Sequence, residues 1–290
     1  MRVAVTGGTG LVGRFIVNDL LRQGHDLTVM TRTPPQPGFF RGEVTHRPYD
    51  LGAGRADVSG MEAVVHAAFD HLPGRYRGGE GDDPDGFLRR NLDGSLQLFR
   101  AADEAGVRVV FLSSRAVYGP QQGMLIEEME CRPDTLYGQA KLAAEQALLA
   151  SGRPATILRA TGVYGPPGPG QRHKWADLFD DFAAGRRIAP RVGSEVHGDC
   201  LAAAVGHGLA GAEGIYNVSD ILLDRRDLLA EWRALTGIDG HLPERADASG
   251  FNEMSTARLE RLGHRPGGRE RLRASLREMA ELDGILPPGA

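Results

Sequence analysis

A glycine-rich turn within the first thirteen residues constrains this chain more than any other feature. Val3-Ala4-Val5 is a short apolar run, and Thr6-Gly7-Gly8-Thr9-Gly10-Leu11-Val12-Gly13 follows it at once. Residues 11–22 carry apolar side chains at Leu11, Val12, Phe15, Ile16, Leu20 and Leu21, which is a helical period. Gly24 stands where a glycine commonly closes a helix, and residues 27–30 are a second apolar run. Strand, helix and strand in this order make a β-α-β unit, whose right-handed crossover lays the two strands parallel.

The alternation continues down the chain. Residues 44–47 and 63–68 read as the third and fourth strands, and 69–86, rich in Gly, Asp and Arg, reads as a loop with room for a short helix. Residues 87–105 form a long helix closed by Gly106. Residues 107–112 are nearly all apolar, as expected of a strand buried on both faces. A helix at 136–150 and a strand at 155–158 follow. Gly165-Pro166-Pro167-Gly168-Pro169-Gly170 excludes regular structure and marks the exit into a second lobe. There the pattern predicts helices near 174–185, 199–210, 225–236 and 268–282, with strands near 188–192 and 215–218. The expected architecture is α/β: a Rossmann-type doubly wound parallel sheet over 1–164, and a smaller C-terminal substrate-binding lobe over most of 165–290. Residues 193–218 are expected to return to the main sheet.

Glycines at 7, 10 and 13 permit a tight turn, close approach of backbone to a pyrophosphate, and close helix–strand packing. Free N–H groups at Leu11, Val12 and Gly13, with Thr9 in the turn, would face that anion. The second strand ends in Thr31-Arg32 and lacks the acid that binds a ribose 2′-hydroxyl. Thr31 and Arg32 instead suit a 2′-phosphate, so NADP is the preferred cofactor and NAD a compatible one. The alternative is that Arg32 is a solvated surface residue. Asp50 and Leu51 follow the third strand and face the adenine edge, or cap a turn. Ala67 and Ala68 end the fourth strand with side chains small enough for a ribose to lie against the backbone.

Tyr137 and Lys141 stand four apart in a helix and so project from one face. An ammonium beside a phenol favours phenolate, which makes the tyrosine a general acid or base near neutrality. With six tyrosines and two lysines in 290 residues, about 0.04 such pairs arise by chance. Of 34 basic residues only Lys141 and Lys174 are lysine, and arginine does not replace a compact ammonium at a hydroxyl-binding site. Ser113-Ser114 ends the fifth strand, at the carboxyl edge where open α/β sheets bind ligands. Ser114 orients a substrate oxygen, or Ser113 does so in its place.

Composition excludes several classes. The net charge is -4, which does not suit a nucleic-acid binder. Cys131 and Cys200 are far apart, and the nine histidines show no ligand spacing, so no metal site is expected and the thiols read as reduced. No run approaches the length of a membrane span, and the first residues do not form a secretory signal. The expectation is a cytoplasmic protein acting on a small molecule.

The motifs together resemble the extended short-chain dehydrogenase/reductase family, also called the NAD-dependent epimerase/dehydratase family. The resemblance runs through residues 6–13, Phe111-Leu-Ser-Ser-Arg-Ala-Val-Tyr-Gly119, Tyr137-Gly-Gln-Ala-Lys141 and Arg159-Ala-Thr-Gly-Val-Tyr-Gly-Pro166. Val196-His-Gly-Asp199, Tyr216-Asn-Val218 and residues 257–266 resemble its later motifs. It implies Ser114, Tyr137 and Lys141 as catalytic residues, with Lys141 also holding the nicotinamide ribose. It further implies Tyr118 as a packing or substrate-contact residue and Asn91 as a structural amide. The implied activity is hydroxyl–carbonyl oxidoreduction on a sugar-like or secondary-metabolite substrate. A sugar epimerase is the alternative, and a non-catalytic NADP sensor the alternative of another class. The family often pairs through two long helices, so 87–105 and 137–150 are candidates for a homodimer. Two departures matter. Arg115-Ala116 stand where dehydratases carry an acidic pair, and Gly162 stands where nucleotide-sugar enzymes carry Asn. An anionic substrate could still meet a basic group, foremost Arg172, with His173, Lys174, Arg186, Arg187 and Arg191 nearby in sequence; the alternative is solvated surface charge.

Overall fold

The computed structural model describes residues 1–70 and 78–289. In chain order the main-sheet half contains β1 (Arg2–Thr6), α1 (Leu11–Arg22), β2 (Asp26–Thr31), β3 (Thr45–Pro48) and β4 (Ala63–His66). It continues with α2 (Pro84–Leu88), α3 (Gly94–Glu104), β5 (Arg108–Ser114), α4 (Leu136–Ala150) and β6 (Ala155–Ala160). Beyond these lie β7 (Gly162–Tyr164), α5 (Ala176–Ala183), β8 (Val192–His197), α6 (Gly198–Leu209), β9 (Gly214–Val218) and β10 (Ile221–Asp224). The chain closes with α7 (Arg225–Thr236), α8 (Ala257–Glu260) and α9 (Gly268–Leu282).

The main sheet has seven strands in the order β3-β2-β1-β4-β5-β6-β9, every pair parallel. Side chains of successive strand residues go to opposite faces, and both faces are covered. Val5, Val29, Leu112 and Leu158 lie in the core under α1 and α6. Ala4, Met30, Val64, Phe111 and Ile157 lie in the core under α3 and α4. This two-sided burial explains why the strands read as unbroken apolar runs. The strand order reverses between β1 and β4, which opens a crevice at their carboxyl ends. A three-stranded sheet, β10-β8-β7, belongs to the second core, built on Tyr164, Trp175, Phe179, Phe182 and Trp232. Phe179 and Trp232 stack there with centroids 4.0 Å apart.

Some boundaries differ from the sequence reading. The strand expected near 188–192 lies at Val192–His197, because Pro190 lacks the N–H a ladder needs and the pairing partners begin at Asp224↔Val192. Of the segment 193–218, β8 joins the small sheet, α6 packs on α1, and β9 pairs with β6. The helix expected from 87 starts at Pro84, where the Asp83 carboxylate accepts from Gly86 N at 2.8 Å and proline occupies the first turn. A π-helical turn over Arg89–Asp93 joins α2 to α3. The loop read over 69–86 falls partly on 71–77, outside the described residues. Among the described residues no helix is long and apolar enough to cross a membrane.

One buried ion pair ties α4 to the sheet. Arg159 on β6 donates to Glu145 on α4 through Nη2 at 2.7 Å and through Nε at 3.1 Å to each oxygen. Both side chains are almost fully buried, and Ser113 Oγ donates to the same carboxylate. Removing one partner strands the other charge in the interior, so Glu145→Ala should lower stability by about 3–5 kcal/mol. The double change Glu145→Leu, Arg159→Met should recover most of that loss. Chemical denaturation of the three proteins checks both.

Candidate active site

The glycine turn closes the crevice by steric exclusion. Gly7 has φ +66°, and a Cβ on it would stand 2.7 Å from Ala68 Cα, at the end of the neighbouring strand β4. A Cβ on Gly13 would collide with the Gly7 carbonyl oxygen and lie 2.7 Å from Gly8 Cα. Only hydrogen fits at either place, so α1 begins hard against the strand ends. No side chain caps Gly10 and the first turn holds no acid, which leaves the positive end of the helix dipole available to an anion. Thr9 O accepts from Gln171 Nε2 at 2.8 Å, so the exit loop packs beside the turn.

A polar relay fixes the ends of β1 and β4. Thr6 Oγ1 accepts from Ala67 N at 3.2 Å and from Ala68 N at 3.1 Å, and it meets His66 Nδ1 at 2.8 Å. His66 Nε2 meets Ser95 Oγ at 2.9 Å, and Ser95 donates to Asn91 O. This order assigns the Nε2–H tautomer, with Thr6 donating to Nδ1. Burial, reinforced by Lys141, holds the imidazole neutral with its pKa pushed down to about 3. Asn91, in the π-helical turn, donates to Asp70 O and accepts from Asp70 N, each at 2.7 Å. It is 2% exposed and clamps the backbone after β4; it is not a helix-surface amide. At the outer strands, Thr31 donates to Thr33 O, Arg32 is exposed, and Asp50 accepts from Gly52 N as a turn cap. Leu51 packs against the core on the α3 side.

Tyr137 and Lys141 meet at one aromatic ring. Phe69 takes the Tyr137 ring edge-on at 4.9 Å and the Lys141 ammonium at 4.4 Å. Lys141 also donates to Leu112 O at 2.7 Å and stands 4.8 Å from the Phe111 ring. It is 4% exposed. Burial pushes its pKa down to about 7 against the pull of Glu145. Ser114, half-buried, caps the turn after β5 by accepting from Ala116 N at 3.1 Å. Ser113 points the other way and donates to Glu145.

Two expected substrate contacts lie elsewhere. Tyr118 is fully buried, its hydroxyl donating to Asn217 Oδ1 at 2.7 Å and its ring under the Arg159 guanidinium. It is a core residue, because the turn after β5 carries it back under β9. Arg172 is exposed and ion-paired with Asp177 and Asp180 of α5, acids one helical turn apart that the sequence reading had not linked to it. Phe69 and the ion pair of Lys174 with Glu195 were missed. The rarity of lysine is the signal that marks Lys174, whereas nothing short of the folded crevice marks Phe69.

A model of the NAD dependent epimerase/dehydratase family matches residues 3–197. The chain belongs to that family. It is 28% identical over 217 residues to a UDP-glucose 4-epimerase of Lacticaseibacillus casei, covering 69% of this chain and 63% of the relative. It is 33% identical over 168 residues to a ceramide reductase of Caulobacter vibrioides, covering 57% and 47%. The matches thus span about half to under two thirds of those relatives' lengths. The solved UDP-glucose 4-epimerase of Thermus thermophilus, in complex with NAD, superposes with a TM-score of 0.77 at 26% identity, covering 96% of this chain and 99% of that one. Within this epimerase/dehydratase family member, a buried lysine with a lowered pKa has a measurable consequence. Its folded pKa lies below the unfolded value, so folding expels a proton between those two values, and the penalty is full below about pH 7. Lys141→Met should therefore raise the melting temperature of the cofactor-free protein at pH 6. The gain should shrink as pH climbs toward 10, where the unfolded lysine also loses its proton. Calorimetry across that range checks the sign.

Proposed function

We propose that this protein interconverts a hydroxyl and a carbonyl on a small molecule, with a nicotinamide dinucleotide held in the β1–β4 crevice. The single observation that supports it best is the meeting of Tyr137 and Lys141 at Phe69, on the helix that flanks the crevice. The residues present fit the dinucleotide: a turn that tolerates no Cβ at Gly7 or Gly13, an uncapped helix end for the pyrophosphate, and alanines at 67 and 68. Leu11, Val12 and Gly13 would offer N–H groups to the phosphates, and Lys141 would hold the nicotinamide ribose. Bound there, the dinucleotide supplies or accepts the hydride.

Tyr137 gives its proton to the substrate oxygen in reduction and takes it back in oxidation. Ser114 holds that oxygen by hydrogen bonding. Lys141, one helical turn from Tyr137, favours the phenolate by its charge whenever the proton has left. The relay from Thr6 through His66 to Asn91 keeps the strand ends in place, so the reacting groups stay aligned. The same residues support an epimerase, in which oxidation and reduction follow each other on one molecule. The T. thermophilus neighbour's NAD complex favours NAD, while Thr31 and Arg32, without an acid at the end of β2, leave room for the 2′-phosphate of NADP.

Tyr137→Phe should lower kcat by a factor of about 10² to 10⁴ while dinucleotide affinity stays within about threefold. Turnover is followed by nicotinamide absorbance across sugars, hydroxy acids and ketones, with product analysis to detect epimers formed without net cofactor change. Undiminished turnover in that variant removes Tyr137 from the proposed role. Arg32→Ala should weaken NADPH about tenfold or more and leave NADH unchanged. Equal losses for both would mean that Arg32 does not read the 2′-phosphate.

A further inference from the structure

Lys174, the other lysine, is left unused by the chemistry above. It lies between the exit loop and α5, ion-paired through Nζ to Glu195 Oε2 on β8, with side chains 20% and 10% exposed. The pair presses on the backbone of Gly162. A Cβ there would stand 2.5 Å from Glu195 Oε2 and nearer still to Lys174 Nζ. No side chain fits at 162 while the pair stands, so the pair fills the volume a β7 side chain would otherwise take. Gly162 is in register with Glu195, and it follows by two residues Ala160, the register partner of Ser114. Two residues of extended chain span at most about 7 Å, and neighbouring strands lie about 4.8 Å apart. The Gly162 backbone on which the pair presses therefore lies within about 12 Å of Ser114, within the length of a small substrate.

Resting on the function proposed above, we infer that Lys174 and Glu195 form a charge-neutral specificity pair that excludes a nucleoside diphosphate and suits an uncharged, hydroxyl-bearing alcohol or ketone. The lysine meets only one carboxylate oxygen, and an ammonium carries three donors, so the pair can still both donate and accept. A hydroxyl does the same. A diphosphate would meet Glu195 as a like charge at a poorly solvated site, where repulsion is strong. Burial disfavours the charge on each member and the partner offsets part of that cost, so the two stand or fall together. The charge of Arg191, exposed at the start of β8, also reaches both. Without the carboxylate, Lys174 would be an unpaired cation with the charge of Arg191 reaching it, the chemistry of a phosphate site. Glu195 decides which it is.

Isothermal titration of the protein, first saturated with whichever of NAD⁺ and NADP⁺ it binds, tests this with uridine, UDP and UDP-glucose as probes. Wild type should bind UDP no tighter than uridine. Glu195→Gln, close in shape, should tighten UDP and UDP-glucose at least tenfold, and Lys174→Gln should not. A tenfold or greater preference of wild type for UDP over uridine overturns the inference, as does a folded Glu195→Gln with unchanged UDP affinity. The wild-type comparison stands even if that variant fails to fold. Failure of wild type to bind either NAD⁺ or NADP⁺ would instead remove the proposed function, so the two failures are distinguishable.

Discussion

The crevice between β1 and β4 depends on the absence of two side-chain atoms. Gly7 lies against Ala68, and Gly13 against the Gly7 carbonyl, at distances that admit only hydrogen. That contact brings the start of α1 to the strand ends and aims its unfulfilled N–H groups across the gap. Thr6 then ties the two strand ends through Ala67 N and Ala68 N, and His66, Ser95 and Asn91 pass the constraint to the helix beside Phe69. Everything proposed for the dinucleotide follows from this packing, and a single methyl group at either glycine would open it.

Buried charge does the rest, and each case is compensated differently. Glu145 and Arg159 neutralise one another in the core and lock α4 to β6. Lys174 and Glu195 do so over the small sheet, where both side chains keep some exposure. Lys141 has a carbonyl and two aromatic faces around its ammonium, with Glu145 acting on it from one turn away. That is weaker compensation, and it leaves the lysine poised to change partner or protonation. The contrast explains how one helix carries both a structural anchor and a reactive pair. Glu145 stands four residues after Lys141, as Lys141 stands four after Tyr137, so one stripe of α4 holds all three.

Periodicity made most of the main sheet legible. The strands near 3–5, 27–30, 107–112 and 155–158 are buried on both faces and leave continuous apolar runs, and the helices at 11–22 and 136–150 match their ranges in the fold. The second lobe was harder to read. Val192–His197 sets Gly, Ser and Glu in a row between two valines, so it shows neither an apolar run nor an alternation, and its partners β7 and β10 are short and distant in sequence. Within the site, spacing along one helix revealed Tyr137 and Lys141. For Tyr118 packing and substrate contact stayed open, because sequence gives a residue's distance along the chain but not the direction of the turn that follows a strand; the fold places it in the core. Arg172 misled because its acids lie on the next helix and satisfy it locally.

The sequence by itself determined the parallel sheet, the glycine turn and the pairing of a phenol with an amine, since each is a local pattern: a run, a missing Cβ, a spacing of four. Tertiary structure decided what those groups touch. Only folding brings Phe69, just after β4, onto Tyr137 and Lys141 from α4, turns Ser113 inward to Glu145 and leaves Ser114 at the edge, and sets Glu195 beside Lys174 over Gly162. Contacts of that kind join residues tens of positions apart. They depend on strand order and register, which hydrophobic pattern constrains only by face and not by neighbour.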